Sequence, residues 1–172
     1  MQPELTINPA DTATEFAKLL HQHRKIVFKV AASYAWTEAD RADLAQEIAM
    51  ELWSAFAGYD RTRPFTTWMY RVALNIGMAH ARAASTRRRY FADGGDTEIE
   101  RATAPAQSAE EFQALLLLSQ AMALLNREDR ALLLLHLEAR SSSEIAEILG
   151  LSTTNVTTRI SRIRQRLSAQ LS

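Results

Sequence analysis

The sequence predicts an all-α chain of two small helical domains joined by a flexible acidic linker, the C-terminal one a helix-turn-helix. Three observations carry this. Five glycines and four prolines in 172 residues leave few places where the chain must leave a helix. Apolar residues recur three and four apart rather than alternating. The only Gly-Gly pair falls in ADGGDTEIERATAPAQSAEE, a run of small and acidic residues between two helical stretches. The expected division is 1–91, a linker at 92–108, and 109–172.

Thr12 with Glu15 forms a capping box, followed by a stripe of Phe16, Leu19, Leu20, Ile26, Val27, Val30 and Tyr34, a first helix of roughly 24 residues. Thr37 and Asp40 start a second, whose stripe is Leu44, Ala45, Ile48, Ala49, Leu52, Trp53 and Phe56. Gly58 ends it, and GYDRTR is a loop. Pro64 suits the first turn of a third helix, because its missing N–H costs nothing there. Phe65, Trp68, Met69, Val72 and Ile76 share one face of that helix, which reaches about Arg89, while Tyr70 points well away from them. Beyond the linker, Ser108 and Glu111 cap a helix carrying Phe112, Leu115, Leu116 and Met122. Asn126 with Asp129 caps another, ending near Glu138.

Composition narrows the function. With no cysteine, neither a disulfide framework nor a thiolate metal site can form, which fits a reducing interior. No run approaches the roughly 20 apolar residues of a membrane span, and MQPELTINPADTATEF lacks the basic start and apolar core of a signal peptide. The expectation is a cytoplasmic protein with no membrane insertion. His21 and His23 lie on different faces of a helix and no His-Glu-x-x-His pattern occurs, so neither a metal nor a cofactor is expected. With no serine triad and no phosphate-binding glycine loop, the chain is not expected to be an enzyme.

Net charge is zero, yet unevenly spread. Residues 61–91 hold seven arginines and no acid, residues 92–111 one basic side chain and six acids, and residues 151–172 four arginines and no acid. Two acid-free basic blocks, each at the end of a helical unit, favour contact with a polyanion.

Residues 143–163, SEIAEILGLSTTNVTTRISRI, carry the strongest motif. Ile145, Ala146, Ile148 and Leu149 form the inner face of a short helix, Gly150 supplies a left-handed C-terminus, and Ser152 caps the next helix. The spacing Ala146, Gly150, Val156 is that of a helix-turn-helix. Val156, Ile160, Ile163 and Leu167 face inward, leaving Thr153, Thr154, Asn155, Thr157, Thr158, Arg159, Ser161, Arg162 and Arg166 outside. Hydroxyl, amide and guanidinium groups suit phosphates and major-groove base edges. In the other half, Asp43, Gln46, Glu47 and Met50 line one side of the second helix away from its apolar stripe. Thr67, Arg71, Asn75, Met78 and Arg82 form an exposed basic stripe along the third.

These residues resemble a known family. DLAQEIAMELWSAF followed by RPFTTWMYRVALN is similar to the second conserved region of bacterial sigma factors. LLNREDRALLLLHLEARSSSEIAEILGLSTTNVTTRISRIRQRL is similar to the fourth. Two such regions with an acidic linker between them resemble the extracytoplasmic-function type of the sigma-70 family. The resemblance implies that Asp43, Leu44, Gln46 and Glu47, with Met50 beside them, dock on core RNA polymerase. It implies that Tyr59, Arg61 and Arg63 in the loop, and Phe65, Thr66, Trp68 and Tyr70 at the helix start, sit at the minus-10 promoter element. There they would capture a flipped base, with Arg71, Asn75 and Arg82 facing the same element. The helix from Thr153 to Arg166 resembles the reader of the minus-35 element, with Asn155, Thr158, Arg159 and Arg162 best placed. Promoter DNA and an anti-sigma factor are further expected partners. A stand-alone helix-turn-helix regulator would explain the C-terminal half equally well, but not an acid-free aromatic helix in the other.

Overall fold

The computed structural model describes residues 8–90 and 109–171. The acidic linker expected at 92–108, with its Ser108 cap, lies outside the described residues, as do the side chains of Glu111, Phe112, Leu115 and Leu116. The described secondary structure is entirely helical. In order the helices are α1 (Pro9–Tyr34), α2 (Glu38–Ala55), α3 (Phe65–Tyr90), α4 (Ala109–Ala123), α5 (Arg127–Leu137), α6 (Ser142–Leu149) and α7 (Thr153–Leu171).

The first helix starts a turn before the expected capping box. Asn8 accepts from the Ala10 N–H, and Pro9, with its φ already fixed, opens the helix. Glu15 is thereby released from capping, and its carboxylate meets Arg61 at 2.8 Å. Thr37 caps α2 by accepting from the Asp40 N–H at 3.0 Å. A single 3₁₀ turn, Phe56–Gly58, then closes that helix. The Pro64 carbonyl accepts from the Thr67 and Trp68 N–H groups, so proline stands just ahead of α3. Val30, Leu44, Ile48, Leu52, Phe56 and Met69 are buried where these three helices meet.

In the second half, Asn126 caps α5 by accepting from the Asp129 N–H at 2.8 Å. Leu132, Leu133, Leu134 and Leu135 are all buried. Four successive positions at 100° cover most of a helix circumference, so α6 and α7 alone cannot enclose them. The remaining side of α5 packs on α1 and α3. Ser141 and Glu144 form a reciprocal capping box on α6, and Gly150 ends that helix at φ 68°. Ser152 caps α7 through the Asn155 N–H at 3.1 Å. Ile145, Val156 and Ile163 are buried where the two helices cross.

The halves share a polar seam. Tyr34 is buried and its hydroxyl donates to the Arg127 carbonyl at 2.6 Å. Gly77 makes room for that ring: a Cβ there would lie 2.6 Å from Tyr34 Cδ2. Lys29 pairs with Glu138 at 2.6 Å. Tyr70 does point away from the Phe65–Met69 face, as its helical angle requires, but α5 and α6 cover it. It is 1% exposed, its hydroxyl donates to Glu138 Oε2 at 3.3 Å, and the Arg140 guanidinium lies 5.2 Å from its ring centre.

Burial, and then the Glu138 carboxylate, push the Tyr70 phenol up from 10.0 to about 12. Burial raises Tyr34 too. A phenol that holds its proton more tightly when folded contributes stability that is intact below its unfolded value of about 10 and lost as pH rises through its folded value. The urea midpoint of the intact protein should therefore fall as pH passes from 10 to 12. Tyr70→Phe should make that fall shallower, and an identical profile would exclude Tyr70 as a source.

Candidate polymerase and nucleic-acid surfaces

Helix α2 divides its residues cleanly. Leu44 is fully buried and fixes the helix on the core, whereas Asp43, Gln46, Glu47 and Met50 are exposed. The four, with Glu51 and Ser54, line a shallow groove of about 620 Å³. Asp43, Gln46 and Glu47 have no hydrogen-bonding partner among the described residues. Met50 is 65% exposed. Trp53, expected in the buried stripe, is 48% exposed: its ring leans on Phe16 at 5.2 Å and leaves its other face to solvent. An apolar strip thus borders the acidic row, which the helical wheel alone did not indicate.

At the start of α3 the aromatic residues form one nest. Phe56 and Tyr59 stack at 6.0 Å, Tyr59 and Trp68 lie 5.2 Å apart, and Phe65 meets Tyr59 edge-on at 5.5 Å. Phe65 is buried within it, while Tyr59, Thr66 and Trp68 keep part of their surface in solvent. The loop is tied down locally. The Tyr59 hydroxyl donates to the Arg63 carbonyl at 2.6 Å. Asp60 accepts from both the N–H and the hydroxyl of Thr62, which holds its carboxyl below the usual range. Gly58, Tyr59, Asp60, Arg63, Thr67, Trp68, Arg71 and Glu147 enclose a cavity of about 340 Å³.

Two expectations are corrected here. Thr67, placed on the exposed stripe, is buried and Met78 is half-buried against the core, while Arg71, Asn75 and Arg82 are exposed as expected. The basic block is also not unopposed. Arg61 pairs with Glu15 and lies 5.4 Å from the Phe56 ring centre. Arg63 pairs with Asp60 at 3.8 Å and with Glu147 at 2.7 Å. The Arg71 guanidinium donates to the Glu147 carbonyl at 3.3 Å. Charge counted along the chain could not see Glu15 or Glu147, which the fold brings in from elsewhere.

On α7, Thr153, Thr154, Asn155, Thr157, Thr158 and Arg162 are exposed. Arg159 and Arg166 are held by the same carboxylate. Arg159 donates through Nε and Nη2 to Asp129 Oδ1 at 3.2 and 2.6 Å, and Arg166 reaches Oδ2 at 3.0 Å. Asp129 is 8% exposed, with its N–H already on Asn126, so its carboxylate is left for α7. The sequence marked Asp129 only as a cap partner. Arg162 and Arg164 are exposed and have no partner among the described residues, which makes them the freer cations of the helix.

Residues 19–87 match the model of Sigma-70 region 2, and residues 115–167 match that of Sigma-70, region 4. The RNA polymerase sigma factor NccH of Alcaligenes xylosoxydans xylosoxydans is 30% identical over 161 residues, covering 91% of this chain and 86% of that protein. The chain belongs to the sigma-70 family. It is a sigma factor of the extracytoplasmic-function type. Among solved structures, CnrH in complex with the cytosolic domain of CnrY superposes with a TM-score of 0.65 at 26% identity, covering 91% of this chain and 86% of that one. The sigma factor RpoE, in complex with the anti-sigma factor NepR from Bartonella quintana, shares the fold, with a TM-score of 0.75 at 21% identity over 91% and 96% of the two chains. No described helix of this sigma factor is long and apolar enough to cross a membrane, and no group of three His, Asp or Glu side chains among the described residues could hold a metal.

Asp129 gives a test of the α7 geometry. Asp129→Asn keeps the size but removes the charge holding two arginines, and should lower stability by about 1–3 kcal/mol. Arg162→Gln should leave stability within about 0.5 kcal/mol. Urea denaturation of both variants checks this, and equal losses would show that the Asp129 pairs carry no special weight.

Proposed function

We propose that this sigma factor binds core RNA polymerase, directs it to specific promoters and helps melt the minus-10 element. Like other members of its family it is a regulatory rather than a catalytic protein, and we place its action in the cytoplasm. The observation that carries the reading is the cavity in which Tyr59 and Trp68 meet Arg63 and Arg71. An unpaired base needs a ring to stack on, worth about 1–3 kcal/mol, and a cation for its phosphate. Extruding that base costs a few kcal/mol, which the two together offset. Arg82 and Asn75 continue the cationic and polar row along α3, while Arg61, Phe65 and Thr66 brace or flank the nest; Tyr70, expected beside them, is buried on the seam against Glu138 and Arg140.

Each half has its own part in this reading. The region 2 match runs from residue 19 to 87 and takes the minus-10 element and the polymerase, through Asp43, Gln46, Glu47 and Met50, with Leu44 beneath them. The region 4 match runs from 115 to 167 and takes the minus-35 element. There Thr153, Thr154, Asn155, Thr157, Thr158 and Arg162 face the groove, and Arg159 and Arg166 position the helix through Asp129. Residues 92–108 join the two as a linker. An anti-sigma partner is part of the proposal, supported by the likeness to CnrH, which was solved with a CnrY domain.

Core polymerase mixed with the full chain should start transcripts at discrete genomic sites, and sequencing their 5′ ends reads out both the activity and the promoter. Asp43→Ala with Gln46→Ala should weaken core binding about tenfold or more while leaving the circular dichroism spectrum unchanged. Undiminished affinity would remove α2 from the polymerase interface. Arg162→Ala should abolish promoter-specific initiation and reduce the salt slope of DNA binding by about 1. An unchanged start-site pattern would argue that α7 does not read DNA through Arg162.

A further inference from the structure

We propose that this sigma factor pairs with a second copy of itself, the basic face of α1 in one copy lying on the acidic row of α2 in the other. The effect of pairing on polymerase binding rests on the assignment of that row to core polymerase; the pairing itself does not.

Residues 16–37 hold Lys18, Arg24, Lys25 and Lys29 and no acid. All four side chains are exposed, and at 100° per residue the three lysines fall on one line along α1. Lys18 and Lys25 have no partner among the described residues, Lys29 meets Glu138, and Arg24 turns back to the His21 carbonyl. Helix α2 has the opposite character. Glu38–Ala55 contains five acids and one arginine, Arg41, which donates to the Trp36 carbonyl at 3.3 Å. Asp40, Glu47 and Glu51 repeat the spacing of the three lysines, seven residues and then four, so they too form one exposed line.

The apolar residues follow the same division. Apart from Tyr90 at the end of α3, the large apolar side chains that the first three helices leave exposed are Phe28 at 60%, Met50 at 65% and Trp53 at 48%. Phe28 stands beside Lys29 and a turn from Lys25, and Met50 stands beside Glu51 and a turn from Glu47. Each face therefore repels its own kind and complements the other. Laid antiparallel, the helices bring Lys25 opposite Glu51 and Lys29 opposite Glu47, with Phe28 and Met50 on the same flank and within a turn of each other. Since α1 and α2 pack together, each copy offers both faces, and a two-fold axis closes the pair by making the contact twice. The charge pairs are exposed, so the association is modest and weakens with salt. It covers Glu47 and Met50, and a paired copy cannot offer them to the polymerase.

Sedimentation equilibrium of the full chain at low salt, up to about 200 µM, should show a monomer–dimer equilibrium that shifts to monomer at about 0.5 M salt. A monomer at every concentration would overturn the pairing. Lys25→Glu and Glu51→Lys each place like charges opposite one another twice in the pair, and should each weaken association about tenfold or more. An equal mixture of the two variants should associate again, because in the mixed pair both contacts are attractive. A mixture that stays monomeric would overturn the proposed contact, since a general effect of charge or a damaged fold would not be repaired by mixing. Asp11→Asn, which removes an exposed charge elsewhere on α1, should leave association unchanged. Core polymerase added to the wild-type pair should take up one copy and release the other, and a complex holding two copies would overturn the masking of α2. Should Asp43→Ala with Gln46→Ala leave core affinity unchanged, the polymerase assignment fails, while sedimentation still decides the pairing.

Discussion

The packing of Tyr34 against Gly77 sets the relation between the two halves. A ring at the end of α1 can lie flat on α3 only where α3 presents no Cβ, and only from there does its hydroxyl reach the Arg127 carbonyl at the start of α5. That bond caps nothing and closes no loop within its own half; it is made across 93 residues of chain. With Tyr34 in place, α5 is presented to α1 and α3, and its unbroken run of leucines finds the third side it needs. Tyr70, Lys29, Glu138 and Arg140 then converge within the same seam. Withdrawing such groups from water costs free energy unless each finds a partner; Lys29 and Tyr70 find theirs in Glu138 across the seam, while Arg140 pairs with Glu144 in its own half and meets the Tyr70 ring. The seam is therefore specific in register although it is modest in strength.

Electrostatics follows from that register. A neutral chain with two basic blocks could leave its cations facing solvent and its acids in the linker. Instead several arginines meet acids distant in sequence: Arg61 with Glu15, Arg63 with Glu147, and Arg159 and Arg166 with Asp129. These pairs differ in kind. Asp129 is nearly buried and grips Arg159 through two nitrogens, so its pairs act as structure. Glu147 and Arg63 are largely exposed, so their pair is exchangeable. The same chemistry is thus structural at one end of the C-terminal half and exchangeable at the other.

Much of this was legible in the sequence, because helices declare themselves locally. The caps at Thr37, Asn126 and Ser152, the left-handed Gly150, the inward faces of α6 and α7, and that of α2 apart from Trp53 depend on residues within one or two turns, and stand where the pattern put them. The first helix began early because Asn8-Pro9 offered a better start than Thr12, a competition between neighbours that a capping box alone does not settle. The polar residues of α2 and most of those of α7 were recognisable as exposed. What escaped was long-range. Thr67 is buried at the wall of a cavity that Glu147 of α6 helps to line, Trp53 is half-exposed, and Tyr70 is covered by Glu138 and Arg140 of the other half of the chain. No count of charge along residues 61–91 could include an acid at position 147.

That last gap bears on how the two surfaces proposed to face DNA differ. On α7 the arginines nearest α5 are fixed by Asp129, so the helix can present hydroxyls, Asn155 and Arg162 with little freedom left to lose on binding. Rigid presentation favours reading a duplex, whose groove has a fixed shape. The cavity beside α3 is made otherwise: a tethered loop, rings held by one another, and cations shared with a neighbouring half. Under the proposed function such a site suits a flexible strand, whose bases can be captured one at a time on rings beside cations. The placement of acids therefore separates a surface whose arginines are fixed by a nearly buried carboxylate from one whose arginines meet exposed, exchangeable partners.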